Sequence, residues 1–362
     1  MMYQIEDIKH VHLEVSSLCN AACPLCPRNF FGHEFNSGYT ERNLTLEEVK
    51  KIFPELFVKQ LKRMIINGNF GDAVMNPETA EICRYFKELN PQLHINLSTN
   101  GGARSAKFWQ ELAEIGIEVT FCLDGVDNDT HKIYRRNTVY TTVIKNAQTF
   151  IAAGGQALWK MIKFEHNSDQ ISTAQQLSKD MGFAAFLLVD DGRDSGPVYN
   201  NNGELEFIIG PSKIGYTPIP YNIAIDGHTN PVHKLNRSKT VVNVMPIKTI
   251  NCEVARDLSL YVDSTGDVYP CCYVGMSPKT FRNNSDVSDD MEQIAKIIEK
   301  NNALEYSLSE CIKWFDIIEQ SWSKQSFEEG RLRTCNRSCG SNSDVDYTRN
   351  QFHVKDSTYT NH

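Results

Sequence analysis

What this chain lacks narrows its function before any motif is read. No apolar run approaches the roughly 20 residues that would span a bilayer, so no membrane partner is expected. No cluster of Lys and Arg occurs, and 37 basic against 45 acidic residues leave a formal net charge of −8. Binding to a nucleic-acid backbone by counterion release needs grouped basic residues, so no nucleic-acid partner is expected either. The start, MMYQIEDIKHVHLEV, has neither the basic opening nor the apolar core of a secretory signal. Without an export signal, eleven cysteines read as metal ligands and buried thiols rather than disulfides, and the cytoplasm is the expected location. Internal repeats and low-complexity tracts are absent as well.

What is present is an ordinary globular composition, 41% hydrophobic and 23% charged over 362 residues, enough for one large domain and a smaller one. From about residue 10 to 190, short β-rich runs alternate with amphipathic helical stretches. HVHLEV (10–15) precedes LTLEEVKKIFPELF (44–57), where Thr45 and Glu48 have the spacing of a capping box. RMIING (63–68) precedes PETAEICRYFKEL (77–89), with Pro77 suited to a first turn, and HINLST (94–99) precedes AKFWQELAEIG (106–116), which Gly116 can close. IEVTFCLDG (117–125) leads to YTTVIKNAQTFIAAGG (140–155), and ALWKMIKFEHN (157–167) to DQISTAQQLSKDMGF (169–183) before AAFLLVDDG (184–192).

Six strand-then-helix units of this kind predict parallel strands with right-handed helical crossovers. Six are too few for a closed eight-stranded barrel, so the expected fold is α/β, an open partial (β/α)6 barrel over 1–192. A Gly-, Pro- and Asn-rich linker with short strands is expected over 193–250, and a small C-terminal domain of β-hairpin and helices over 251–362. In that last part LSLYVDSTGDVYPCC (258–272) predicts a hairpin turning at 264–266, residues 286–320 have helical periodicity, and the polar end is read as a tail or flap. Chemistry in parallel α/β folds sits at the carboxyl ends of the strands. Polar and cysteine motifs do follow each predicted strand: CNAACPLC, GNFGDA, STNGG, DG, EHN and DDGR.

The first of these, C-x3-C-x2-C at Cys19, Cys23 and Cys26, offers three thiolates where a closed structural site uses four ligands. A cubane cluster held by three cysteines keeps one iron open for a reactant. His33 is the only close candidate for a fourth ligand, seven residues past Cys26 and beyond a Phe-Phe pair. A structural zinc site is the plain alternative.

Placed directly after the first strand of a partial α/β barrel, this motif resembles the radical S-adenosylmethionine (SAM) superfamily, over about residues 10–190. The resemblance implies a [4Fe–4S] cluster whose open iron is chelated by the amino and carboxylate groups of SAM. Reductive cleavage then gives methionine and a 5′-deoxyadenosyl radical, which abstracts hydrogen from a substrate. A one-electron donor such as flavodoxin or ferredoxin is implied as partner. NGNFGDAVMNPE (67–78) resembles the family's Gly-Gly-Glu-Pro-like segment, which grips the methionine amine, and puts Gly71 and Asp72 at the Gly-Glu positions, although Ala73 replaces the proline. STNG makes Ser98 and Asn100 candidates for polar contacts to SAM, and FCLDG places Asp124 at a Ser-x-Asp-Gly-like strand end with Cys122 where serine is usual. Arg135 or Arg136 matches the arginine that pairs with the SAM carboxylate, Leu25 takes the position whose backbone meets adenine, and Asn167 is a further SAM or substrate contact. Cys122 would point near the mouth, as a hydrogen donor to a substrate radical or as a small packing residue. Glu165, His166, Asp190, Asp191 and Arg193 are expected to face a polar substrate.

Downstream, Cys252 and Cys271, spaced C-x13-G-x4-C around Gly266, and the later Cys335 and Cys339 resemble the twitch and SPASM auxiliary-cluster extensions of radical SAM enzymes. Four cysteines suffice for one second iron–sulfur cluster of the [4Fe–4S] type, which favours the twitch form; a four-cysteine zinc site is the alternative. Strand alternation favours Cys271 over Cys272 as ligand, and Cys83 and Cys311, on apolar helices, read as core thiols. A filled auxiliary shell would accept or relay electrons rather than bind substrate. The expected reaction is dehydrogenation or rearrangement of a small polar metabolite such as a sugar or aminocyclitol. Modification of a peptide (crosslink or epimerisation) is the second reading, disfavoured because no peptide-binding extension precedes residue 10. A non-catalytic iron–sulfur or zinc protein is the rival from another class.

Overall fold

The computed structural model describes residues 3–35, 38–190, 196–210, 217–218, 246–276, 290 and 293–340. Asp191 and Arg193, the stretches 211–216 and 219–245, and the polar segment 341–362 lie outside the described residues.

The barrel strands are β1 (His10–Leu13), β4 (Arg63–Ile66), β5 (His94–Thr99), β6 (Glu118–Cys122), β7 (Gln156–Lys163) and β8 (Ala185–Asp190). A short hairpin, β2 (Asn29–Phe30) and β3 (Glu34–Phe35), follows the first strand. The connecting helices are α1 (Leu46–Ile52), α2 (Glu55–Gln60), α3 (Thr79–Leu89), α4 (Ala106–Ile115), α5 (Asn128–Tyr134), α6 (Tyr140–Ala152) and α7 (Ile171–Asp180). A separate antiparallel sheet holds β9 (Gly196–Tyr199), β10 (Leu205–Ile209) and β11 (Thr217–Pro218), and the C-terminal hairpin consists of β12 (Ser259–Val262) and β13 (Val268–Tyr269).

All six barrel strands run parallel in the spatial order β1-β4-β5-β6-β7-β8, as the alternation of elements requires. The capping box of α1 forms, with Thr45 accepting from the Glu48 N–H and Glu48 accepting from the Thr45 N–H, and Gly116 ends α4 in the left-handed conformation at φ 75°. Two local expectations are corrected. The stretch 44–57 is two helices, because Pro54 carries no N–H and drives Phe53 out of helical geometry (φ −116°, ψ 79°). A short helix, α5, stands where no helix was expected, begun by the Asp127 side chain accepting from the Thr130 N–H at 2.8 Å.

The C-terminal hairpin does not stand apart. Strand β12 pairs in parallel with β1, from His10 opposite Ser259 to Leu13 opposite Val262, and β13 adds on antiparallel, so the sheet has eight strands in the order β13-β12-β1-β4-β5-β6-β7-β8. Its turn lies where the sequence suggested, with Gly266 at φ +85°. One apolar core runs from Trp109, Phe121 and Trp159 behind the barrel to Tyr261, Trp314 and Phe315 behind the hairpin. Fully burying one such side chain is worth about 2–3 kcal/mol, which makes this core the main stabilising element. Cys83 and Cys311 are both fully buried in it, their thiols pushed up to about 12 by burial, as core thiols should be. A second, smaller cluster fills the mouth of the barrel, where Val198, Phe207 and Ile209 of the separate sheet pack with Leu25, Tyr134, Ile162 and Phe164.

Candidate active site at the barrel mouth

The loop after β1 carries Cys19, Cys23 and Cys26, turned back on itself by the Cys26 N–H donating to the Cys23 carbonyl at 3.0 Å. Buried polar residues brace it: Asn29 Nδ2 donates to the Cys23 carbonyl at 3.0 Å, and Arg28 donates to the Cys19 carbonyl at 2.8 Å while pairing with Glu41. Three N–H groups are aimed at two of the sulfurs. The Ala21 N–H (3.4 Å) and Asn100 Nδ2 (3.6 Å) approach Cys19 Sγ, and an Arg135 guanidinium nitrogen lies 3.9 Å from Cys23 Sγ. Burial pushes the Cys19 thiol well above its ordinary range, with Asp72 and the neighbouring cysteines adding to the rise. A free thiol there stays protonated, and a bound cation is what would draw the proton off. Three cysteines on one loop, with N–H donors on their sulfurs, suit an iron–sulfur cluster. His33 is exposed and lies against the position of Gly203 in the β9–β10 turn. Among the described residues, no three His, Cys, Asp or Glu side chains converge on a point that one metal ion would occupy.

The strand-end motifs surround this loop. Gly71 sits against the backbone of Ser16, so closely that a Cβ there would fall 1.8 Å from the Ser16 carbonyl oxygen; only glycine fits. Its neighbour Asp72 is buried and accepts from Val74 N (3.2 Å), Thr99 Oγ1 (2.7 Å) and Asn100 N (2.7 Å). Burial nonetheless raises its carboxyl above the ordinary range. Asp72 thereby fastens the loop after β4 to the end of β5. Asn100 continues the path, donating to Asn20 Oδ1 at 2.9 Å, while Ser98 is partly exposed and lies 3.5 Å from Asn96 Oδ1.

Two expected cofactor contacts are turned inward instead. Asn167 is fully buried; its Nδ2 donates to the carbonyls of Asp124 (3.2 Å) and Ile162 (2.9 Å), and its Oδ1 accepts from Phe164 N at 2.8 Å. Both of its N–H groups are spent on backbone, so it shapes the end of β7 rather than reaching a ligand. Asp124, also fully buried, accepts from Ile162 N at 2.6 Å and from Arg135 Nε at 2.5 Å. The adjacent arginines diverge. Arg135 stays charged beside Asp124 and Cys23 although burial opposes it, whereas Arg136 reaches the Tyr199 carbonyl and Glu206 in the separate sheet. Cys122, last in β6, is buried near Arg135, and the Leu25 side chain is packed into the mouth cluster. His166 stacks on Phe164 at 5.3 Å between ring centres, its pKa pushed down to about 4 by burial. The strand β8 ends at Asp190, whose side chain lies outside what is described.

The cysteines of the second set lie in one neighbourhood without converging on a single point. Cys252 is within electrostatic reach of Cys339 and Cys271, and Cys271 of Cys335 and Cys339. The chain segments bearing Cys252 and Cys339 are joined by the Asn251 N–H donating to the Cys339 carbonyl at 2.8 Å. Asp290 starts the helix Arg333–Ser338 by accepting from the N–H groups of Arg333 (2.8 Å) and Thr334 (2.5 Å). Cys272 is buried in the core near Tyr261.

Sequence reasoning missed three polar residues between these sites, Glu14, Asn69 and Tyr261. Glu14 Oε1 accepts from the N–H groups of Phe70 and Gly71, both at 2.9 Å, and the Tyr261 hydroxyl donates to Oε2 at 2.5 Å. Burial raises the Glu14 carboxyl to about 7. The signal was available: Glu14 continues the face of His10 and His12 in HVHLEV, opposite Val11, Leu13 and Val15, and a carboxylate at the end of a strand buried in a parallel sheet must find buried donors.

Comparison with known proteins gives the same picture. Residues 13–163 match the family model described as Radical SAM superfamily. Over 132 residues the chain is 30% identical to the FeMo cofactor biosynthesis protein NifB of Methanocaldococcus jannaschii, covering 35% of this chain and 43% of that protein. Over 114 residues it is 26% identical to a tungsten-containing aldehyde ferredoxin oxidoreductase cofactor-modifying protein of Pyrococcus furiosus, covering 32% and 30%. The chain thus spans less than half the length of these curated relatives. Among solved structures, anSMEcpe with bound AdoMet superposes with a TM-score of 0.52 at 15% identity, over 93% of this chain and 88% of that one. Streptococcus suis SuiB bound to S-adenosylmethionine gives 0.51 at 14%, over 91% and 77%. At these identities the likeness is one of fold.

Proposed function

We propose, from the premise that residues 13–163 belong to the radical SAM superfamily, that this chain is a SAM-cleaving radical enzyme acting on a small polar metabolite, with a second iron–sulfur cluster as electron acceptor. The observation that carries the reading is the loop of Cys19, Cys23 and Cys26 at the carboxyl end of β1, with Asn100 and Arg135 donating to its sulfurs. When bound, a [4Fe–4S] cluster supplies one electron to SAM and so yields the radical that takes hydrogen from substrate. The rest falls to the protein. Cys19, Cys23 and Cys26 hold the cluster. The backbone around Gly71 faces the methionine end of SAM, with Asp72 fixing that loop to Asn100. Ser98, at the end of β5, offers a hydroxyl, the Leu25 backbone meets adenine, and Arg135, held by Asp124, answers the SAM carboxylate. Asn167 keeps the wall behind Asp124 in place. Cys252, Cys271, Cys335 and Cys339 hold the second cluster, and a flavodoxin- or ferredoxin-like donor supplies electrons. Glu165 and His166 at the end of β7 face the substrate.

Support for the small-metabolite reading comes from Val198, Phe207 and Ile209 of the separate sheet, which are packed with Leu25 of the cysteine loop in one buried cluster. A peptide substrate is the second reading, because two proteins of this fold were solved with peptides, SuiB with the precursor peptide SuiA and anSMEcpe with Cp18Cys peptide. The test is anaerobic reconstitution with iron and sulfide followed by dithionite and SAM. Release of 5′-deoxyadenosine, lost on replacing any one of Cys19, Cys23 and Cys26 with alanine, supports the enzyme. Iron uptake without 5′-deoxyadenosine would leave an electron carrier or metal-binding module.

A further inference from the structure

The loop that carries Gly71 and the hairpin that carries Cys271 are joined by an unbroken chain of hydrogen bonds. Asn69 Nδ2 donates to the carbonyl of Cys272 at 2.9 Å and to the Tyr261 hydroxyl at 3.2 Å. The Tyr261 hydroxyl donates to Glu14, and Glu14 accepts from the N–H groups of Phe70 and Gly71. Glu14 and Tyr261 are each 1% exposed, so neither can exchange its partner for water. His12, packed edge-on against Tyr261 at 4.9 Å, donates from Nε2 to the Asn67 carbonyl (2.7 Å) and so holds the start of the same loop. A small pocket of about 10 Å3, room for about one water molecule, lies alongside, with Glu14, Tyr39 and Phe70 on the barrel side and Asp263, Ser264 and Thr265 on the hairpin turn. Asn69 is thus bonded directly to the carbonyl of Cys272, the residue next to Cys271.

We propose that Asn69, Tyr261 and Glu14 are positioning residues that couple the C-terminal four-cysteine site to the Gly71 loop, so that filling that site strengthens SAM binding at the barrel mouth. The proposal rests on the reading of both cysteine sets given above. Each link is a buried polar contact whose loss leaves its partner unsatisfied, so the loop is held best when the Cys271 segment is held. Coupling between distinct sites is reciprocal: SAM should in turn favour the filled C-terminal site.

The experiment is a double-mutant cycle on the full-length, anaerobically reconstituted protein, with SAM affinity by equilibrium dialysis and iron and sulfide counts as readouts. Cys271→Ser, which empties the C-terminal site, is expected to weaken SAM binding about five-fold or more. Tyr261→Phe is expected to weaken it comparably with both clusters still loaded. Combined with Asn69→Ala, which removes the contact to the Cys272 carbonyl, Cys271→Ser should then add less than about two-fold, because the link is already cut. Asn69→Ala severs the chain at a second point and must behave like Tyr261→Phe, which guards against a folding defect at Tyr261. Multiplicative effects of Asn69→Ala and Cys271→Ser, or Cys271→Ser binding SAM as the wild type does, overturn the coupling while leaving the enzyme reading intact. A wild type that binds no SAM overturns both, and one that loads a single cluster overturns the coupling together with the auxiliary cluster.

Discussion

Replacing Asp124 with asparagine tests whether the wall behind the cysteine loop is held by charge. The carboxylate is fully buried, accepts from Ile162 N at 2.6 Å and pairs with Arg135 Nε at 2.5 Å, and the Arg135 side chain is only 12% exposed. Removing one partner of such a pair costs about 3–5 kcal/mol, because the remaining charge stays buried without compensation. Asparagine keeps one carbonyl oxygen, which can serve either Ile162 or Arg135 but not both at full strength, so the expected loss lies near 3 kcal/mol. The assay is urea denaturation of the metal-free protein at neutral pH, comparing midpoints at equal slope. Because Arg135 also reaches Cys23 Sγ, the same variant should weaken SAM binding by an order of magnitude or more, with iron content unchanged. A loss below about 1 kcal/mol would show that water solvates the arginine, and the account of this wall would then be wrong.

Three further outcomes follow from the same geometry. Glu14 is raised from its ordinary 4.5 to about 7, so between those values the folded protein holds a proton that the unfolded chain has released, and stability falls as pH rises. At about 1.36 kcal/mol per pH unit the loss is bounded near 3 kcal/mol; Glu14→Gln should flatten the change in urea midpoint between pH 5 and pH 8, and parallel curves for the two proteins would refute the assignment. Gly71→Ala drives a methyl into the Ser16 carbonyl and should cut SAM affinity by more than ten-fold while Cys19, Cys23 and Cys26 still load iron, checked by dialysis and iron counts. Cys122→Ala should leave the yield of 5′-deoxyadenosine and of product unchanged if the thiol only packs beside Arg135; loss of product with 5′-deoxyadenosine retained would instead assign it the return of hydrogen to the substrate.

Much of the barrel was legible because its physics is local. Each predicted strand ends within a few residues of the observed one, since β-branched and aliphatic runs bounded by Gly, Asn and Asp punctuate the chain, and the capping signals at Thr45 and Gly116 act over a single turn. Elements that depend on distant partners were not legible. Nothing in SLYV names HVHL as its neighbour, 249 positions away in the His10–Ser259 pairing, so the hairpin read as a separate domain. The same holds for the site. Cysteine spacing marks the loop, but whether Asn167 faces a ligand or the backbone is decided by Ile162, Phe164 and Asp124, which only the folded chain brings to it.

The parallel pairing of β1 with β12 also governs how the chain is made. Strand β1 leaves the ribosome first among the barrel strands, yet one of its flanks has no partner until Ser259–Val262 has been synthesised. For most of translation an extended segment with Val11 and Leu13 therefore offers open backbone groups to any neighbouring strand. A chaperone that occupies that flank, or a nascent chain that delays collapse, would protect it, and a product cut short before residue 259 would keep that flank of β1 open.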